Sequence, residues 1–200
     1  MSFQIDPSSD ALVIVDVQND FCPGGALAVQ DGDRVVPLLN RYAARFAALG
    51  GAVFATRDWH PARTKHFKEY GGIWPPHCVQ DTPGAAFHPA LVLPAGTEVV
   101  SKGMDPETDA YSAFHSETSD GQPFAAALAE HCVQRLFIGG LATDYCVKAT
   151  VLDALAEGFE VVVLEDAVRA VEVEPGAGAR AFDEIAAAGG RFTRLEQLAA

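Results

Sequence analysis

The chain has 200 residues, 49% of them hydrophobic and 20% charged, which suits one domain with a substantial core. Its 14 basic and 27 acidic residues leave a formal net charge of −13, which argues against a nucleic-acid or anionic-membrane partner and says little about a small substrate. No apolar run reaches bilayer length, and Met1 to Asp10 lacks the basic-then-apolar order of a secretory signal. Cys22, Cys78, Cys132 and Cys146 form no CxxC pair, so free thiols and a cytoplasmic location are expected.

In chain order, Ala11–Val15 reads as a strand buried on both faces and ending at Asp16. A polar, glycine-bearing loop follows from Val17 to Gly25. Val35, Leu38, Leu39, Tyr42, Phe46 and Leu49 recur at a helical period, with Pro37 in the first turn and Gly50-Gly51 as the stop. Ala52–Thr56 is the next strand and runs into Arg57-Asp58-Trp59-His60-Pro61. Thr97–Ser101 is a third, ending at Lys102-Gly103; Asp105 to Ser119 reads as a loop or short helix. Phe124 to His131 is helical, and Val133 to Ile138 is the fourth strand, turning through Gly139-Gly140 towards a helix from Lys148 to Leu155. Phe159 to Leu164 is the fifth strand, with a loop opening at Asp166. An alanine-rich helix with Phe182 and Ile185 then precedes a short sixth strand, Arg191 to Thr193. Strands alternating with helices imply an α/β fold: a doubly wound, mostly parallel sheet of about six strands with helices on both faces, as a single domain over residues 1–200.

Three residues stand at or just beyond predicted strand ends, Asp16, Lys102 and Cys146, and in a doubly wound sheet those ends share one edge. A cysteine at a helix start lies in the positive end of the helix field, which favours thiolate. Each residue also has a plainer reading: a small buried thiol, a capping carboxylate, a solvated lysine. Together they suit acyl transfer, with Cys146 attacking a carbonyl carbon, Asp16 carrying the proton, Lys102 as a fixed cation and the N–H groups of Ala142 and Cys146 as an oxyanion hole. Asp58 and His60 lie two apart at a strand exit, and His66 and His77 follow in a long loop rich in aromatic residues and proline. Asp58, His60 and His77, joined by His66, could share a metal. His88, His115 and His131 have no such setting.

At these residues the chain resembles the nicotinamidases (pyrazinamidases) of the isochorismatase-like cysteine hydrolase superfamily. The resemblance runs nearly end to end, through Val15-Asp16-Val17-Gln18-Asn19-Asp20-Phe21, Thr56-Arg57-Asp58-Trp59-His60, Trp74-Pro75-Pro76-His77-Cys78, Lys102-Gly103, Tyr111-Ser112-Ala113-Phe114 and Gly140 to Val147. It implies a Rossmann-like three-layer fold and an Asp16–Lys102–Cys146 triad. It also implies one divalent metal, usually zinc and sometimes iron or manganese, at Asp58, His60 and His77, with His66 where the family's fourth ligand varies. A pocket of Phe21, Trp74 and Tyr111, with Leu27, Ala142 and Tyr145, would hold a pyridine ring, its nitrogen towards the metal. The resemblance further implies a cis peptide before Ala142 and a reaction taking nicotinamide and water to nicotinate and ammonia through a thioester, in NAD salvage.

Three other readings stand beside this one: an amidohydrolase of N-carbamoyl or ureido substrates, metal-activated water with Cys146 passive, and a silent binding module. The metal trio and Trp74 weigh against the first and the complete triad against the last. A homo-oligomer stays open, because an apolar outer helix face and core packing read alike in sequence.

Overall fold

The structure, a computed structural model, describes residues 3–199. The chain runs β1 (Phe3–Gln4), β2 (Asp10–Val15), α1 (Val36–Leu49), β3 (Ala52–Asp58), β4 (Glu98–Lys102), α2 (Phe124–Glu130), β5 (Arg135–Leu141), α3 (Lys148–Ala156), β6 (Glu160–Arg169), α4 (Ala177–Ala187), β7 (Arg191–Thr193) and β8 (Leu198–Ala199). Six strands form a parallel sheet in the order β4-β3-β2-β5-β6-β7, as the alternating pattern led us to expect. Among the described residues, no helix is long and apolar enough to cross a membrane.

Period-two alternation in β2 divides the core between the two faces of the sheet. Leu12 and Ile14 pack with Leu39, Tyr42 and Phe46 of α1. Ala11, Val13 and Val15 face the other way, towards Leu128 of α2, Val151 of α3 and Ile185 of α4. The result is three layers. From β2 the chain crosses to β3 on one side, and from β5 it crosses to β6 on the other. The strand order therefore reverses between β2 and β5, where a doubly wound sheet opens a crevice beyond its carboxyl ends.

Several boundaries differ from expectation. Gly139 and Gly140 are strand, not turn, and β5 continues to Leu141. Gly140 has φ +128°, and a Cβ there would stand 2.1 Å from the Val15 carbonyl oxygen, so the glycine admits the backbone of β2. β6 runs five residues past Leu164, to Arg169. A register shift between Ile138 and Gly140 lets it pair on, and the Asp166 carboxylate is absorbed by the Tyr42 hydroxyl at 2.8 Å and the Leu195 N–H at 3.1 Å. α3 is preceded by a π-helical turn, Thr143–Val147. The pair β1–β8 carries no sequence signal, each strand being two residues long.

Candidate active site

β2 ends in a sharp turn at Asp16, whose φ of +49° is uncommon for a residue with a side chain. Thr56 on β3 holds that turn. Its hydroxyl donates to Asp16 Oδ1 at 2.6 Å, and its carbonyl accepts the Asp16 N–H at 3.2 Å. The other carboxylate oxygen, Oδ2, lies 2.8 Å from Lys102 Nζ. Lys102 closes β4 directly beside Asp58 at the end of β3, contacts Asp58 Oδ1, and reaches Cys146 Sγ at 3.4 Å. Atoms of Asp16, Asp58 and Cys146 fall within 4.8 Å of one another. The structure thus brings Asp16, Lys102 and Cys146 together, with Asp58 as a fourth member.

Burial sets the electrostatics. It opposes a charged Lys102, but Asp16 and Asp58 outweigh it and hold the ammonium's pKa well above the usual range. Burial also works against a charged Asp58, yet Lys102, with His60 and His77, keeps that carboxyl far below the ordinary value. Asp16 goes the other way: burial raises it, against the pull of Lys102. Cys146 corrects an expectation. It sits inside the π-helical turn, only 6% exposed, and burial pushes its thiol well up despite Lys102, with Asp16 and Asp58 adding to the rise.

The Leu141–Ala142 peptide is cis. Tyr145 and Val147 both donate to the Ala142 carbonyl at 3.1 Å, while the Ala142 N–H donates no hydrogen bond among the described residues.

His60, His66 and His77 come from the irregular segment after β3, and one ring nitrogen of each lies within 4.8 Å of the others. In every case Nδ1 faces an acceptor: the Gly103 carbonyl at 3.0 Å, Asp109 Oδ1 at 2.6 Å and the Pro75 carbonyl at 2.8 Å respectively. An oxygen acceptor fixes the proton on Nδ1 and leaves Nε2 as a lone pair. His60 Nε2 is buried with no hydrogen-bond partner, 3.6 Å from Asp58 Oδ2; His77 Nε2 is 3.9 Å from the same oxygen. Burial lowers His66 and brings His77 down to about 4, which keeps both rings neutral. One carboxylate oxygen and three imidazole lone pairs, buried and facing one another, fit a divalent ion. Gly103 is part of this arrangement, since a Cβ at its φ of +71° would meet His60 Cε1 at 2.4 Å.

Between the thiol and the histidines lies a pocket lined by Phe21, Leu27, Asp58, His66, Trp74, His77, Tyr111, Ala142, Tyr145, Cys146 and Val171. Trp74 packs edge-on to Tyr145 with centroids 4.9 Å apart, and its indole N–H donates to the Tyr111 hydroxyl at 2.9 Å. All six residues expected to contact substrate line this space. Sequence reading gave no site role to Val171, Thr56, Gly103 or Asp109; Thr56 and Gly103 do fall within segments that carry the resemblance, whereas Val171 and Asp109 become apparent only in three dimensions. A roomier cleft of about 670 Å³ lies over Gly103 and Asp105, lined by His115 and Glu117, but neither the thiol nor the aromatic residues open into it.

Fold and site define a class: a doubly wound α/β protein in which a buried cysteine, lysine and aspartate meet at the switch point of a parallel sheet. The chain belongs to the isochorismatase family, whose domain model, "Isochorismatase domain", matches residues 10–197. It is 43% identical to a nicotinamidase of Escherichia coli (strain K12) over 92% of this chain and 94% of that protein. The crystal structure of a pyrazinamidase of Pyrococcus horikoshii in complex with zinc superposes with a TM-score of 0.86 at 44% identity, covering 94% of this chain and 99% of that one. PnC1 from L. infantum, in complex with nicotinate, superposes at 0.88 with 34% identity over the whole of both chains.

Proposed function

We propose that this chain is a nicotinamidase. It is a metal-dependent cysteine amidohydrolase that converts nicotinamide and water to nicotinate and ammonia, hydrolyses pyrazinamide as well, and serves NAD salvage in the cytoplasm from one domain over residues 1–200. One observation carries the reading: Cys146, whose Sγ lies 3.4 Å from Lys102 Nζ, itself 2.8 Å from Asp16 Oδ2, opens on a pocket walled by Trp74, Tyr111 and Phe21 and bordered by Asp58, His66 and His77. The activities of the relatives support it.

Asp58, His60, His66 and His77 would hold one divalent ion, zinc in this reading with iron or manganese as alternatives. When bound, that ion supplies a Lewis-acid contact that orients the ring nitrogen. Phe21, Leu27, Trp74, Tyr111 and Tyr145 enclose the ring and leave the carboxamide at Cys146. The resting thiol keeps its proton, because burial raises it, and burial also raises Asp16, which suits a carboxylate to receive that proton. As Sγ bonds to the carboxamide carbon, Asp16 takes the thiol proton and the N–H groups of Ala142 and Cys146 meet the developing oxyanion. Lys102 stays charged and stabilises both the carboxylate and the sulfur. The C–N bond then breaks, Asp16 returns its proton to the departing nitrogen, and ammonia leaves a thioester. Water gives one proton to Asp16 and bonds as hydroxide to the carbonyl carbon; C–S cleavage, with the Asp16 proton returned to sulfur, releases nicotinic acid, which loses its remaining proton to solvent as nicotinate.

The test compares ammonia release from nicotinamide, pyrazinamide and N-carbamoyl amino acids. Nicotinamide is expected to be turned over fastest, and a preference for the carbamoyl compounds would overturn the assignment.

A further inference from the structure

Asp144 is buried, 7% exposed, and takes no part in the chemistry above. It lies in the π-helical turn two residues before Cys146 and one before Tyr145. Its two carboxylate oxygens reach across to the segment between β6 and α4: Oδ1 accepts the Val171 N–H at 2.8 Å and Oδ2 the Glu172 N–H at 3.0 Å. No backbone carbonyl among the described residues takes either N–H. Glu172 has φ +56°, and its own carboxylate accepts the N–H groups of Gly176, Ala177 and Gly178 at the start of α4. The segment is therefore tied at both ends through carboxylates: that of Asp144, on the Cys146 turn, takes its N–H groups, and its own Glu172 takes those at the start of α4. Val171, at the first of these attachments, lines the substrate pocket.

We propose that Asp144 is a positioning residue that seats Val171 as one wall of the ring pocket, and that this pair sets which ring-substituted amides enter. The inference rests on the nicotinamidase reading for its substrate class. Charge-assisted bonds from consecutive N–H groups to one carboxylate are strong and fix orientation as well as distance. With the carboxylate removed, the Val171 backbone has no other hydrogen bond to that turn among the described residues. The wall then moves without disturbing the Asp16–Lys102 contact, which comes from other strands.

The test uses the metal-loaded full chain, with Asp144→Asn, which keeps one acceptor oxygen, Asp144→Ala, and Val171→Ala, which widens the wall and spares the clasp. Asp144→Ala is expected to raise KM for nicotinamide about tenfold, on the scale of one lost charge-assisted hydrogen bond, with a smaller change in kcat and Asp144→Asn in between. Both Ala variants should gain activity on 5-methylnicotinamide relative to nicotinamide, and the double variant should gain no more than the larger single. Amide hydrogen exchange at Val171 and Glu172 should quicken in Asp144→Ala alone. A fall in kcat with KM and substrate preference unchanged, or unchanged exchange at those two amides, would overturn the proposal, because general destabilisation produces the first and an idle carboxylate the second. Failure of the nicotinamidase reading would show in the wild-type chain, whereas failure of this one shows only in the variants.

Discussion

The two sides of the site are held in place by different means. Asp16, Asp58 and Lys102 stand at the ends of β2, β3 and β4, and the sheet register pairs Asp58 with Lys102 directly. Strands about 4.8 Å apart set the spacing of such groups through the main chain. His60, His66 and His77 hang from the irregular stretch after β3, and each ring is aimed by a single contact on its far nitrogen, from Gly103, Asp109 or Pro75. Groups on strand ends need little outside guidance, whereas groups on loops need a guide apiece. Damage to the first side should therefore reach chemistry or folding, and damage to the second should reach metal affinity first.

The sharpest way to separate the sides is Cys146→Ala. Ammonia release from nicotinamide is expected to fall by about 10⁴-fold or more, as for loss of other covalent nucleophiles, while metal content by elemental analysis stays at the wild-type level. Full turnover in that variant would place the nucleophile elsewhere. Lys102→Ala should break the strand-end side outright. It leaves the buried Asp16 and Asp58 carboxylates facing each other without a cation, and denaturant unfolding should show a loss of about 3–5 kcal/mol. A smaller change would mean that the pair sheds its charge in place.

The histidine side has its own signature in pH. The folded value of His77 lies at about 4, below the 6.5 of an ordinary imidazole, so the unfolded chain takes up that proton first. Its contribution to stability is complete above about pH 6.5 and is lost as pH falls towards about 4. In metal-stripped protein it amounts to about 3 kcal/mol, less what Asp16, held up by burial, returns in the same direction of pH. Thermal melts of stripped protein across that range check the sign. The smallest effect belongs to Asp109→Ala, which removes the guide from His66. Chelator competition should show metal affinity about tenfold weaker, with unfolding stability nearly unchanged because Asp109 is mostly solvated. Equal affinity would detach His66 from the ion.

The strands were legible where a short apolar run met a charged end, as in Ala11–Val15 before Asp16, because a strand buried on both faces has no room for polar alternation. They were not legible where polar residues continue the ladder. Asp166 read as the start of a loop yet lies within β6, since a shift of register and the Tyr42 hydroxyl provide for it. Gly139-Gly140 read as a turn because glycine more often marks one. Of the site, the residues that carry reactive atoms could be found from spacing and resemblance. Those that aim them could not, because the bond from Asp109 to His66 and the one from Asp144 to Val171 join positions with no periodic relation. The surroundings of the thiol were not legible for the same reason: the helix field is local, whereas the burial that raises Cys146 is tertiary.

The close approach at Gly140 has a consequence for how the site can drift under mutation. β2 delivers Asp16 one residue after Val15, and β5 delivers the turn bearing Cys146 shortly after Gly140, with Val15 and Gly140 paired in register. The separation of the two strands that carry Asp16 and Cys146 is thus gauged at Gly140 by main chain lying on main chain, with no side chain between the strands as a spacer. Any side chain at 140 would push those two strands apart like a shim in a vice, lengthening the path between the Asp16 carboxylate and the Cys146 thiol while leaving both groups present. Alanine, harmless at most buried small positions, should be among the more damaging replacements there.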